Sequence, residues 1–282
     1  MIEKGIVCLA QNNTSTDYVR LAYLQRLSLA LVDPDLPYAL ITDQVSWDAT
    51  ADHIRKVFDH VVILDLDDAQ DQEWKQRNSW QLARLTPFRE TIKVEADLLF
   101  TRSIAHWWRA LRLRDVVIST GCRNYLGDVS DVRAYRKTFD QNELPDVYTG
   151  LMYWRKSHTA VALFEHARRV YQDWKSVSEN LIACEDPGSN DMVFAVAAKL
   201  TGVELVTLPE LNFFQMTHMK PAINYRIPRE QWMKELVIET VPPYIRVSAQ
   251  DQLHPFHYHD KHWATDLLLE KYEHAYRIRK SH

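Results

Sequence analysis

The chain has 282 residues, 46% of them hydrophobic, enough for one large core, and its six glycines with no break in composition argue against a string of small modules. A formal charge of −4, from 34 basic and 38 acidic residues, offers no broad cationic field for a polyanion. No window reaches the ~18 to 20 apolar residues of a membrane span. Cys8, Cys122 and Cys184 lie too far apart for a metal knuckle or a disulfide framework, so a reducing, cytoplasmic setting is expected.

Along the chain, Ile6 to Ala10 reads as an interior strand, followed by the polar run QNNTSTD and a helix from Tyr18 to Ala30 that stops before Asp33-Pro34. Strand, polar loop and helix open an α/β unit. Tyr38 to Thr42 and Val61 to Leu64 are the next strands, ending in Asp43 and Asp65. Parallel sheets place binding loops at that end of their strands, although aspartate is equally ordinary in turns. Trp74 to Leu85 is predicted helical and is broken by Pro87. Glu90 to Val94 then reads as a strand that runs into Glu95-Ala96-Asp97 before Leu98 to Phe100 restores apolar character.

Ile104 to Leu113 is predicted as a helix and Asp115 to Ser119 as a strand, whereas 121–146 loses periodicity and reads as a substrate-loop region. Val147 to Trp154 returns to the sheet, Thr159 to Trp174 forms an amphipathic helix, and Ser189 or Asn190 caps a helix from Met192 to Leu200. Val203 to Leu208 is expected as the last clear strand. The segment 213–262 is irregular and aromatic, and a final helix is expected from Trp263 to Ile278. The whole chain, 1–282, reads as a single α/β domain.

Two carboxylates, Glu95 and Asp97, inside an apolar stretch are costly unless paired or bound to a cation, and hard oxygen ligands suit Mg²⁺ or Mn²⁺. By itself this E-x-D pair is a weak sign. Four histidines in nine residues, His254, His257, His259 and His262, are a stronger anomaly and read either as metal ligands or as a polar, aromatic loop. The chain lacks G-x-S-x-G, the P-loop pattern, and a G-x-G-x-x-G after its first strand, which argues against a hydrolase of that kind, a P-loop enzyme and an ordinary dinucleotide dehydrogenase. Arginine clusters at 102–114 and 155–169 fit solvated helix faces better than a nucleic-acid surface.

The order of these elements resembles the GT-A class of nucleotide-sugar glycosyltransferases, particularly retaining enzymes related to glycogenin and to lipopolysaccharide galactosyltransferases. Glu95-Ala96-Asp97 is similar to the D-x-D motif of that family, and Arg89 and Lys93 precede it where a basic residue often lies near the sugar nucleotide. Tyr148-Thr149-Gly150-Leu151-Met152 resembles the N-[SA]-G-V-M segment, with tyrosine in place of asparagine. Asn190-Asp191 resembles the D-Q-D region, Leu208 to Asn212 the following L-P-x-x-[FW]-N segment, and His257-Tyr258 with Lys261-His262-Trp263 the terminal H-[FY]…K-P-W motif, with a shorter gap and His262 in place of proline.

The resemblance implies a mostly parallel mixed sheet flanked by helices, with 121–146 and 213–262 shaping and closing the site. It implies metal ligation by Asp97 and His257 with Glu95 at the metal or the ribose, and Lys261 on the donor diphosphate. Asp43 or Asp65 would lie near the base or ribose, and Asp191 near the sugar. The implied donor is a nucleoside diphosphate sugar, most often a uridine derivative in similar enzymes, and the acceptor is a glycan, a protein, a small molecule or, less favoured, modified DNA. A non-catalytic carbohydrate-binding protein and a sugar nucleotidyltransferase are the alternatives. The second is disfavoured because Cys8-Leu9-Ala10-Gln11-Asn12 is not a Gly- and Arg-rich loop.

Overall fold

The computed structural model describes residues 2–121, 123–129, 136–208, 213–222, 228–234 and 236–281. Cys122, residues 130–135 and 223–227 of the expected loop regions, and Pro209 to Asn212 therefore lie outside the described residues.

The first strand, β1 (Ile2–Leu9), leads into helix α1 (Tyr18–Val32), whose N-terminus is capped by the Asp17 carboxylate on the Arg20 amide. Strand β2 (Tyr38–Thr42) is followed by the short helices α2 (Gln44–Asp48) and α3 (Asp52–Arg55), and then by β3 (His60–Ile63). Where one helix was expected from Trp74, the chain forms a 3₁₀ segment, Lys75–Gln81, and a single α-turn, α4 (Leu82–Leu85). Asn78 and Gln81 are buried there, and their amides hydrogen-bond Gln11, Asp67 and the Leu66 carbonyl, so polar bonding sets the path of this segment.

Strand β4 (Phe88–Val94) ends at Glu95, and β5 (Leu98–Leu99) follows after the turn. Helix α5 (Trp107–Leu111), strands β6 (Val116–Thr120) and β7 (Arg123–Asn124), helix α6 (Lys137–Gln141) and strand β8 (Val147–Arg155) come next. Helix α7 (His158–Gln172) is capped by Ser157, and α8 (Trp174–Glu179) continues from it. Helix α9 (Asn190–Thr201) has Ser189 as its N-cap, one of the two caps expected.

The expected strand at Val203 to Leu208 is instead a turn of helix, α10 (Val203–Val206). Its β-branched residues suggest a strand, but Gly202 at φ 110 turns the chain out of α9, and only Thr207 reaches the sheet, in an isolated parallel bridge to Ile118. The later segment is more regular than its sequence suggests. It contains β9 (Thr217–His218), α11 (Arg229–Met233), the antiparallel ribbon β10 (Ile238–Val241), β11 (Tyr244–Val247) and β12 (Gln250–Asp251), and then β13 (Phe256–His257). Helix α12 (Asp266–Lys280) closes the chain with Thr265 as its cap.

The main sheet has the order β3-β2-β1-β4-β8-β6. Strands β1 to β4 are mutually parallel and β8 runs antiparallel between β4 and β6, giving the mixed, mostly parallel sheet expected. Alternate residues feed two cores. Ile6, Cys8, Ile92, Val94, Leu151 and Tyr153 face α1 and the aromatic layer around Trp107, while Val7, Leu9, Met152 and Trp154 face α7 and α9. Both faces being covered, the central strand β4 is buried apart from Arg89, and its carboxyl end leads directly to Glu95.

Candidate active site

A small second sheet, β5-β13-β9-β7, brings the remote histidines to the carboxylates. β13 pairs antiparallel with β5, His257 against Leu98, and parallel with β9, His257 against His218, while the Tyr258 amide donates to the Asp97 carbonyl at 3.1 Å. Register thus fixes His257 beside Asp97 across 160 residues of sequence. The turn between β4 and β5 is braced from below: the Gln25 amide, buried in α1, donates to the Leu98 carbonyl at 2.8 Å and also to the Glu95 carbonyl, and its own oxygen accepts from Tyr38.

His257 Nε2 lies 3.0 Å from Asp97 Oδ2 and 3.4 Å from Glu95 Oε2. Lys261, presented by a 3₁₀ turn capped by Asp260, places its ammonium on the same Asp97 oxygen. His259 stacks on His257 with ring centroids 3.8 Å apart, and its backbone is left-handed, φ 51, a conformation that costs energy for a residue other than glycine. His259 Nε2 is buried and has no hydrogen-bond partner among the described residues. Asp97, His257 and His259 each bring one ligand atom into a group whose members lie within 4.8 Å of one another. A carboxylate with two imidazoles, one left with an unsatisfied nitrogen, fits a divalent transition-type cation.

The electrostatics agree with that donor set. Burial alone would push the Asp97 carboxyl up, but His257 and Lys261 outweigh it and hold it well below the ordinary carboxylate range. Burial would lower the Lys261 ammonium, yet Asp97 more than compensates and raises it. Burial, with His257 beside it, keeps His259 well below the ordinary histidine value, and His218 is lowered in the same way. A neutral imidazole is the form that ligates.

These groups line one side of a cleft of about 240 Å³, whose other side is formed by Leu9, Gln11, Tyr18 and the Glu73 to Gln76 segment. Of the residues singled out in the sequence, Glu95, Asp97, Tyr148, His257, His259 and Lys261 converge on the cleft. Lys93 and Asp191 stand behind it: Lys93 is buried and donates to the Thr149 carbonyl at 2.7 Å, and Asp191 accepts from the Thr149 amide and hydroxyl at 2.8 and 2.7 Å. Asp43 is one hydrogen bond further back, accepting from Gln11 at 3.1 Å while capping α2. Asp65 pairs with Arg84 on the surface, and Arg89, near the opposite end of β4, lies 3.8 Å from Glu3; neither lines the cleft. His254 is held by a different environment, its imidazole lowered by burial and by Arg123.

Gln11, Gln25, Tyr18 and Trp74 are site residues that sequence reasoning did not single out. For Gln11 the available signal was its place in the loop after the first strand.

No family model matches the chain, and no curated protein sequence matches it. Among solved structures it is similar to the galactosyltransferase LgtC in complex with donor and acceptor sugar analogs, at 12% identity over 98% of this chain and 95% of that one, with a TM-score of 0.52. Mouse xyloside xylosyltransferase 1 in its apo form is similar over 74% of this chain and 85% of that one, at 13% identity and a TM-score of 0.49. The Streptococcus pneumoniae glycosyltransferase GlyE covers 75% of this chain, which matches 46% of it at 10% identity and a TM-score of 0.41. The sheet order and the likeness to LgtC give the chain a GT-A-like α/β fold, shared at low identity. No helix among the described residues is long and apolar enough to cross a membrane.

Proposed function

We propose that this protein transfers a sugar from a nucleoside diphosphate sugar to an acceptor hydroxyl, with retention of configuration, in a reaction dependent on Mn²⁺ or Mg²⁺. The observation that carries this reading is the meeting of Glu95, Asp97, His257 and Lys261, from remote parts of the chain, in one cleft at the carboxyl end of the central strand. The Gln11, Tyr18 and Trp74 side of the cleft has the polar and aromatic character to take a base and ribose, with a uridine derivative the first candidate, and Asp43 supports Gln11 from behind.

Asp97, His257 and His259 would hold the cation, with Glu95 beside them at the cation or the ribose. When bound, such a cation neutralises charge on the departing diphosphate. Lys261 is the residue placed to exchange its contact with Asp97 for a donor phosphate oxygen, because its ammonium reaches the cleft surface. The acceptor hydroxyl attacks the anomeric carbon as the bond to the diphosphate oxygen breaks, its proton passing to that departing oxygen on the same face, so the displacement asks for no strong protein nucleophile. Asp191 acts near the sugar, from its position on Thr149. The acceptor is a glycan, a protein or a small molecule; the acidic overall charge disfavours DNA.

Replacing Asp97 by Asn keeps the volume and removes the charge. This variant is expected to stay folded and lose Mn²⁺-dependent hydrolysis of the matching nucleotide sugar, and His257→Ala to weaken Mn²⁺ at least ~10-fold in calorimetry. A thermal-shift panel of nucleotide sugars identifies the donor, since only a bound ligand raises the melting temperature. Wild-type metal affinity and turnover in both variants would overturn the shared site.

A further inference from the structure

Two lysines contact the carboxylate pair, and they differ in freedom. Lys261 is 30% exposed on the cleft, whereas the Lys93 side chain is 1% exposed and lies inside the sheet. Its Nζ donates to the Thr149 carbonyl at 2.7 Å and lies 3.7 Å from Glu95 Oε1, while Glu95 Oε2 faces His257. Thr149 is itself held through its amide and hydroxyl by Asp191, whose other oxygen is 3.5 Å from Arg136, and Arg136 is 3.2 Å from Asp146. The Lys93 ammonium is thus pinned, and it cannot leave Glu95 as Lys261 can leave Asp97.

A buried ammonium needs compensation, and Glu95 supplies it. The converse follows for the site. With Lys93 on Glu95, Lys261 on Asp97 and the Lys220 ammonium within electrostatic reach of Asp97, the two carboxylates are already offset, so a dication enters against a fixed like charge. A diphosphate restores the balance by drawing Lys261 away and adding its own negative charge. We infer that Lys93 is a positioning residue and fixed counter-charge for Glu95 that makes retention of the cation conditional on a bound diphosphate. This rests on the proposed cation and donor site. It gives the reaction cycle a device for releasing cation and nucleoside diphosphate together.

The test is calorimetric titration of Mn²⁺ into the full chain, with and without saturating UDP, for the wild type, Lys93→Met, Lys93→Gln and Lys93→Arg. Glutamine keeps a donor for the Thr149 carbonyl and removes the charge, so it separates the two roles and decides the matter if the methionine variant does not fold. The wild type is expected to bind Mn²⁺ about 10-fold more tightly when UDP is present. In the methionine and glutamine variants Mn²⁺ alone should bind about 5-fold more tightly than to the wild type, so that the cation is retained without UDP at concentrations where the wild type loses it. Arginine should retain the wild-type affinity for Mn²⁺ alone. A folded glutamine variant that binds Mn²⁺ alone with wild-type affinity, or more weakly, overturns the inference and leaves the cation site standing. A wild-type protein that takes up no Mn²⁺ with or without UDP overturns the site and the inference together.

Discussion

Gly150 shows how little room the carboxylate pair has. Its carbonyl accepts from the Glu95 amide at 3.2 Å, and a Cβ built on it would meet Met216 Cε at 2.6 Å, Tyr148 Cε1 at 3.0 Å and Glu95 Oε2 at 3.1 Å. The methionine end can move, but the Glu95 oxygen is held by its partners on both sides. Gly150→Ala is expected to cost about 1 to 3 kcal/mol in denaturant unfolding and to reduce Mn²⁺ affinity. Adding Met216→Ala should recover part of the stability without recovering the metal. Equal recovery of both would place the strain on Met216 alone. At this scale the sequence exposed the residues whose chemistry is unusual for their surroundings: carboxylates in an apolar run and histidines in a cluster. It did not expose Gln25, since a glutamine among the leucines of α1 becomes a brace only when the helix packs beneath the Glu95 turn.

Elements were legible where period and caps agreed. The β1, α1 and β2 units follow from apolar runs bounded by polar loops, and α7 and α9 have serine caps at Ser157 and Ser189. Helix α12 tests the same logic at the end of the chain. The Thr265 hydroxyl accepts from the Leu268 amide at 3.2 Å, and the helix lays buried Leu268 and Tyr272 into the core shared with α1. Thr265→Ala should cost about 1 kcal/mol in equilibrium unfolding, and Thr265→Ser much less. An unchanged midpoint would mean that packing against α1 fixes the helix end without the cap. Legibility failed where partners are distant. α10 looks like a strand because local propensity favours one, and the two-residue strands β5, β9 and β13 have no period of their own. Those three place His257, so the motif could be named in the sequence while its geometry could not be derived there.

On the scale of the whole molecule, His218, His254 and His259 are buried or half-buried in the folded chain, and this gives the fold a pH dependence of definite sign. His218 and His259 are held well below the ordinary value of 6.5, each first by burial and then by His257, with Lys220 adding to the effect and Asp97 opposing it at His259; His254 is lowered by burial and by Arg123. For a histidine lowered in the folded state, the unfolded chain takes up the proton first as the pH falls. The stability these residues allow is therefore complete above 6.5 and lost below it, by at most about 1.4 kcal/mol per pH unit for each histidine. The Asp97 carboxyl, held below the ordinary carboxylate range, acts only at lower pH, so the two windows separate. The melting temperature is expected to be flat from pH 8 to 7 and to fall between about pH 6.5 and 5.5. His259→Asn, which tolerates the left-handed backbone, should make that fall shallower. Added Mn²⁺ should raise the melting temperature more at pH 7.5 than at pH 5.5, because the imidazoles must be neutral to ligate. A melting temperature that does not change between pH 7 and 5.5, with or without Mn²⁺, would show that these histidines are not buried neutral in the folded protein, and the approach of His257 and His259 to Asp97 would need another arrangement.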